Sequence, residues 1–207
     1  IALAMSCKED IPLIIASLGI YQIVFRRDWR YGLSSFAVGI LWFLIGIKVV
    51  MPAFSKEGDL IHFGRYSYYG DSLEEAVLNI VTHPRLVFDA VITRPKMLYV
   101  SSLLKPLLFL PVVGFESLLL AIPSLAVNLL TGYSAQYAID DFHYAAPLVP
   151  GMIVSTIWAV RRISNFFSRL IGLSKKRWSL LLVCLVVFSS FFSSYFRSVI
   201  PIFGFFD

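Results

Sequence analysis

Apolar residues dominate from Ile11 to Phe54, interrupted once by Arg26-Arg27-Asp28-Trp29-Arg30. From Ser55 to Lys96 the chain turns polar, aromatic and acidic, and apolar stretches then resume. Stretches of about 17–25 apolar residues are long enough to cross a bilayer as helices. Six candidate spans follow: Ile11–Phe25, Tyr31–Met51, Met97–Val113, Phe115–Thr131, Tyr144–Val160 and Trp178–Tyr195. The third and fourth read as a helical hairpin turning near Val113-Gly114-Phe115-Glu116. The polar segment 52–96 must lie on one face of the membrane, because irregular backbone cannot face lipid. The pattern predicts an all-α polytopic transmembrane helical bundle, a single integral-membrane domain over 1–207 with one elaborated face.

Within that face the periodicity changes. Asp71-Ser72 can cap a helix running through Leu73, Ala76, Val77, Ile80 and Val81, with Glu74 and Glu75 in its first turn where the helix dipole favours acids. His83-Pro84 ends it. A second amphipathic piece carries Leu86, Val87, Ala90 and Val91 up to Arg94-Pro95. Both are too short and polar to span and read as helices along the membrane surface. The aromatic run Gly64-Arg65-Tyr66-Ser67-Tyr68-Tyr69-Gly70 precedes them.

Composition supports the class: 58% of the 207 residues are hydrophobic and 15% aromatic, which a soluble domain rarely shows. The net charge of +5 gains meaning only when sorted by side. Arg26, Arg27, Arg30 and the six basic residues of 161–177 stand against Asp28 and Glu116, a net +7. The other loops hold seven basic residues against eleven acids, a net −4. The positive-inside rule then makes the first set cytoplasmic. The Lys8 segment, the 52–96 loop, the 133–143 loop and the C-terminus become extracytoplasmic. Cys7 and Cys184 read as small apolar packers. The apolar opening Ile1-Ala2-Leu3-Ala4-Met5 reads as the tail of a helix in a longer protein. No phosphate-binding loop, dinucleotide fingerprint, zinc pattern or nucleophile elbow occurs, and no nucleic-acid partner is expected.

Three constellations can carry chemistry. Lys8-Glu9-Asp10 places three charges before a span that begins Ile11-Pro12. Asp10 can simply cap that helix; alternatively Glu9 and Asp10 bind a divalent cation, take a proton or orient a hydroxyl, with Lys8 beside them for a phosphate. Asp140-Asp141-Phe142-His143-Tyr144 lies on the same face and is either a solvated turn or a polar wall opposite Glu9 and Asp10. In the second case His143 acts as ligand, acid/base or donor, and Pro147 and Pro150 kink the following span. Lys105 falls inside the third span, where it needs water, a carboxylate or a phosphate, or else snorkels. Lys48 lies near the outer end of its span and reads as snorkelling. Arg65, Arg85, Arg94 and Lys96 read as solvated or facing headgroups, with a lipid phosphate as the alternative partner.

Lys8-Glu9-Asp10 followed by Leu18-Gly19-Ile20-Tyr21, then Gly70, Ser72, His83-Pro84 and the segment from Leu104 to Pro111, resembles the pattern of the DUF2079 family of predicted membrane proteins. His143-Tyr144-Ala145-Ala146-Pro147-Leu148-Val149-Pro150 resembles that family's Tyr-His-Tyr plus proline motif, with Phe142 in the first position. The resemblance covers nearly the whole chain and corresponds to the later part of a longer protein. It implies an architecture similar to the GT-C class of membrane glycosyltransferases, which use polyprenyl-phosphate sugars on the extracytoplasmic side. The acidic residue characteristic of that class lies in a first outer loop that this chain does not contain, so Lys8, Glu9, Asp10 and His143 would be supporting residues.

The function expected is that of a glycosyltransferase-like membrane protein acting on a polyprenyl-phosphate-linked sugar. Glu9, Asp10 and His143 carry the chemistry, Lys8, Lys105, Arg65 and Tyr144 hold the lipid phosphate, and a divalent cation is a candidate cofactor. Two alternatives stay open: a transporter or lipid flippase with Lys48 and Lys105 along its path, and a non-catalytic subunit of a larger membrane complex.

Overall fold

The computed structural model describes residues 5, 8, 10–54, 63–138, 143–172 and 174–196, and among these no strand occurs. Helix α1 (Ile11–Tyr21) begins at Asp10 with Pro12 in its first turn, continues as a wider turn over Gln22–Arg26, and stops where Arg27 adopts the left-handed conformation. Asp28 restarts the chain: its Oδ1 accepts from the Tyr31 amide at 3.4 Å, capping α2 (Trp29–Ile45). This helix runs on through a π turn, Gly46–Val50, and one more α turn, Met51–Phe54. A Cβ on Gly39 would lie 2.5 Å from the Ala16 amide nitrogen and 2.6 Å from the Pro12 carbonyl oxygen. The α1 and α2 backbones therefore touch, the close approach that small residues permit between membrane helices.

The polar face folds much as its pattern predicts. Ser72 caps α3 (Leu73–Thr82), its Oγ accepting from the Glu75 amide at 3.2 Å, while the Glu75 carboxylate accepts from the Asp71 amide at 3.0 Å. This is a capping box displaced by one residue. His83 ends α3, and α4 (Pro84–Val91) follows.

The expected third and fourth spans are not continuous helices. Helix α5 (Arg94–Leu104) tightens into a 3₁₀ turn, Lys105–Leu107, and ends with Leu108 and Phe109 both left-handed, at φ 53° and 57°. Pro106 has no amide to continue the ladder. Short helices α6 (Leu110–Val113) and α7 (Phe115–Leu118) turn at Gly114, and α8 (Ile122–Leu130) returns. The turn falls where the sequence placed it. Its cause is contact with α9 (Val149–Ile171): a Cβ on Gly114 would overlap the Ser155 carbonyl oxygen. The carbonyls freed by these breaks find donors. Ser155 Oγ lies 2.8 Å from the Pro111 oxygen and 2.6 Å from that of Gly114. Ser189 and Ser190 of α10 (Lys175–Phe196) donate to Lys105 and Pro106.

Among the described residues three helices are long and apolar enough to cross a membrane, Trp29–Phe54, His143–Ile171 and Lys175–Tyr195, rather than the six expected. Ile11–Arg26 is apolar but shorter. Pro147 sits in a 3₁₀ segment, His143–Leu148, and Pro150 in the first turn of α9, which runs eleven residues past Val160. No residue in the most apolar part of α10 is fully buried, although Leu182 and Val186 pack on Leu110, Ala159 and Val160, and Cys184 is exposed instead of packed inside. Cys7 lies outside the described residues. The largest buried cluster, Tyr99, Ala121, Leu148 and Met152, joins the hairpin to α9. Phe25 meets Phe115 at 6.3 Å and Glu116 binds Arg162 at 2.6 Å toward one end of the bundle, whereas Asp10 meets Ser124 toward the other.

Candidate functional site

Asp10 does not use its carboxylate as a helix cap. The side chain is 2% exposed and turns toward α8, where Ser124 Oγ donates to Oδ2 at 2.9 Å; Lys8 Nζ approaches the same oxygen at 3.3 Å. Oδ1 is buried, and no described residue hydrogen-bonds to it. Lys8 also lies 5.6 Å from the centre of the Tyr144 ring, and the Arg65 guanidinium lies 6.0 Å from that ring and 4.5 Å from the Tyr133 ring. One turn beyond Ser124 on α8, Asn128 Nδ2 donates to the Tyr99 hydroxyl at 2.8 Å and to the Tyr144 carbonyl at 3.0 Å. The Arg65 carbonyl accepts from the Gly132 amide at 2.7 Å. The aromatic run, the N-terminus of α1, α8 and the segment before α9 are thus tied into one polar knot.

A cavity of about 210 Å³ opens beside this knot. Its walls are mostly apolar: Leu13 of α1, Phe43, Ile47 and Met51 along α2, and Leu73, Ala76, Val77 and Ile80 of α3. Asp10, Arg65 and Gln136 supply its polar lining. Gln136 is 5% exposed, and its Oε1 is a second buried oxygen without a partner. The surface helix α3 therefore forms a wall of the cavity. Two contacts hold it there: Lys48 Nζ donates to Glu74 Oε1 at 2.9 Å, and Asn79 Nδ2 donates to the Tyr69 carbonyl at 2.7 Å. The hydrogen bond from Lys48 draws the Glu74 carboxyl below its usual range. An apolar slot with a cationic and hydrogen-bonding end is the shape of an amphiphile site.

The family described as "Predicted membrane protein (DUF2079)" matches residues 1–203. The chain belongs to the DUF2079 family. No curated protein and no solved structure matches it. A family of predicted membrane proteins and three helices able to span a bilayer agree on a DUF2079 membrane protein of several passes.

In this DUF2079 chain the site residues expected from sequence separate into three groups. Lys8, Asp10, Arg65 and Tyr144 come together. His143 is exposed and stacks on Tyr144 with ring centres 5.3 Å apart, at the rim of the same group. Lys105 is not part of it: exposed in the hairpin turn, it has its carbonyl bonded by α10. Glu9, Asp140 and Asp141 lie outside the described residues. Among the described residues no three His, Cys, Asp or Glu side chains gather where they could hold a metal ion.

Lys48 reaches Glu74 from its helix end. Lys96 departs from expectation. It is 6% exposed, donates to the Ala90 carbonyl at 2.8 Å and lies over the Tyr137 ring. Sequence reasoning missed Ser124, Asn128 and Gln136. The first two carried a usable signal: with Thr131 they form a stripe at i, i+4 and i+7 on an otherwise apolar helix, and all three are buried. Gln136 is a lone amide in a loop and carried none.

Proposed function

We propose that this DUF2079 protein is glycosyltransferase-like and receives a polyprenyl-phosphate-linked sugar in the cavity between α1, α2, α3 and α8, on the extracytoplasmic side. The observation that carries the reading is the pairing of apolar walls with a polar end made by Asp10, Arg65 and Gln136. An isoprenoid chain fits the walls by burial of apolar surface. Arg65, with Lys8 near it across the Tyr144 ring, supplies charge-assisted hydrogen bonds to the phosphate. Cations fixed beside a departing phosphate also stabilise the charge that develops on it. Asp10 lines the same space and, with one oxygen that takes no hydrogen bond from a described residue, can orient a hydroxyl. Lys105 has no part in this reading, and Glu9, Asp140 and Asp141 are its nearest candidates for further acidic groups.

In the same reading, Ile11–Arg26 and the broken hairpin of 94–131 complete six membrane passages. The basic groups around Arg26 and Arg162 then face the cytoplasm, as the positive-inside rule asks.

Native mass spectrometry of the purified chain with added polyprenyl phosphate sugar tests the proposal. Retention of the lipid is expected, and Arg65→Ala should weaken it about tenfold, the size of one charge-assisted contact. Retention unchanged in Arg65→Ala, or no retention at all, would remove the basis for the reading.

A further inference from the structure

Two residues that line the cavity carry a buried acceptor to which no described residue donates: Asp10 Oδ1 and Gln136 Oε1. The other oxygen of Asp10 is already engaged by Ser124 and Lys8. Buried acceptors are expensive to leave without a hydrogen bond, so a pair of them on one cavity wall specifies what the cavity must be given. A phosphate does not supply it. Phosphate oxygens accept, and they repel a carboxylate. Rotation of the Gln136 amide would exchange its acceptor for a donor but would leave Asp10 Oδ1 unchanged.

We propose that the ligand of this site is a lipid phosphate whose head group carries hydrogen-bond donors, hydroxyl or ammonium, that Asp10 Oδ1 and Gln136 Oε1 accept. Arg65 holds the phosphate, and the chain lies along Leu13, Ile47 and Val77. The inference rests on the reading of the cavity as a lipid-phosphate site and adds a direction to it. A lipid phosphate that has lost its head group is mostly dianionic at neutral pH, with a second pKa of about 6, so it offers few donors and is held less tightly, and the site distinguishes loaded from spent lipid.

The test measures binding of three probes to the full chain in nanodiscs: a polyprenyl phosphate, the same lipid carrying a hexose, and phosphatidylethanolamine. The hexosyl lipid should bind about tenfold more tightly than the bare phosphate, the cost of leaving one buried acceptor without a donor. Gln136→Leu should abolish most of that preference by weakening the hexosyl lipid, and Asp10→Leu should abolish it while tightening the bare phosphate, because it removes a repelling carboxylate and frees Lys8. Gln136→Leu removes no existing bond to the side-chain oxygen, so it decides the matter if Asp10→Leu fails to fold. Tight binding of phosphatidylethanolamine alone, lost in Gln136→Leu, would uphold the donor rule and sink the glycosyl-lipid reading. Equal binding of both polyprenyl lipids, unmoved by Gln136→Leu, would overturn the inference and leave the lipid-phosphate site standing. Binding of none of the three would overturn both.

Discussion

The seam between the hairpin and α9 and the polar end of the cavity both bury hydrophilic groups in apolar surroundings, and they treat them in opposite ways. At the seam, Ser155 is fully buried and its hydroxyl serves the carbonyls that Pro111 and Gly114 present where the helix breaks. Arg162 donates to the Val113 carbonyl at 3.0 Å and binds Glu116 beside it. Inside a bilayer there is no water to take over such groups, so a broken helix persists only where the protein re-satisfies it. At the cavity, Asp10 is satisfied on one oxygen only and Gln136 offers another bare acceptor. Polar groups answered from within the chain hold the fold; polar groups left open on a cavity wall are addressed to something outside it. Gln22 and Trp178 also carry unpartnered buried atoms, but neither lines the cavity, so an orphan atom alone does not mark a site.

The harshest way to break this contrast is to force the seam apart. Gly114 meets the Ser155 carbonyl so closely that no side chain fits, and backbone cannot give way as a flexible side chain can. Gly114→Val should cost about 3 kcal/mol or more, the upper range for overpacking. The measurement is the melting temperature and the yield of monodisperse protein. A wild-type melt in this variant would mean the seam is loose and its hydrogen bonds incidental.

A milder pair sets the two regions directly against each other. Ser155→Ala removes a hydroxyl that two carbonyls share and should destabilise by about 1 kcal/mol, as interhelical hydrogen bonds in membranes do. Gln136→Leu replaces an unanswered oxygen with a methyl of similar reach and should leave stability within about 0.5 kcal/mol of wild type, or raise it. Equal losses in both would show that Gln136 is answered after all, and the contrast would disappear.

How far the sequence reached can be judged residue by residue. Charge is a strong local signal, so the Lys8-Glu9-Asp10 triplet and the His143-Tyr144 pair pointed to one face, and Lys8, Asp10 and Tyr144 do meet. The cap at Ser72 and the turn at Gly114 were legible because each depends on a few neighbouring residues. The number of long helices was not. Hydropathy reports length in the membrane but not continuity, and the breaks at Leu108 and Phe109 depend on packing against α10 as well as on Pro106. Nor was the burial of Lys96, whose carbonyl and aromatic partners come from two different segments. The cavity itself was hidden for a related reason: four elements distant in sequence make its walls, and none of them looks unusual alone.

The smallest expected effect concerns the wall that closes the cavity. Helix α3 is clamped to the end of α2 by Lys48 and Glu74, both well exposed at 56% and 70%. Such a pair adds little to stability, so its signature is kinetic: how fast a lipid passes between α2 and α3. Glu74 has its carboxyl lowered by Lys48, so the pair is intact above the ordinary glutamate value of about 4.3. As pH falls through the lowered value, protonation removes the attraction. Loading of a fluorescent lipid should therefore speed up below that range, while Lys48→Ala loads fast at neutral pH and shows no such step. Raising salt should move wild type toward the variant, because exposed pairs are screened. Identical loading by wild type and Lys48→Ala at every pH would show that α3 is held by its apolar face alone, through Ala76, Val77 and Ile80, and that the ion pair rides on a wall it does not control.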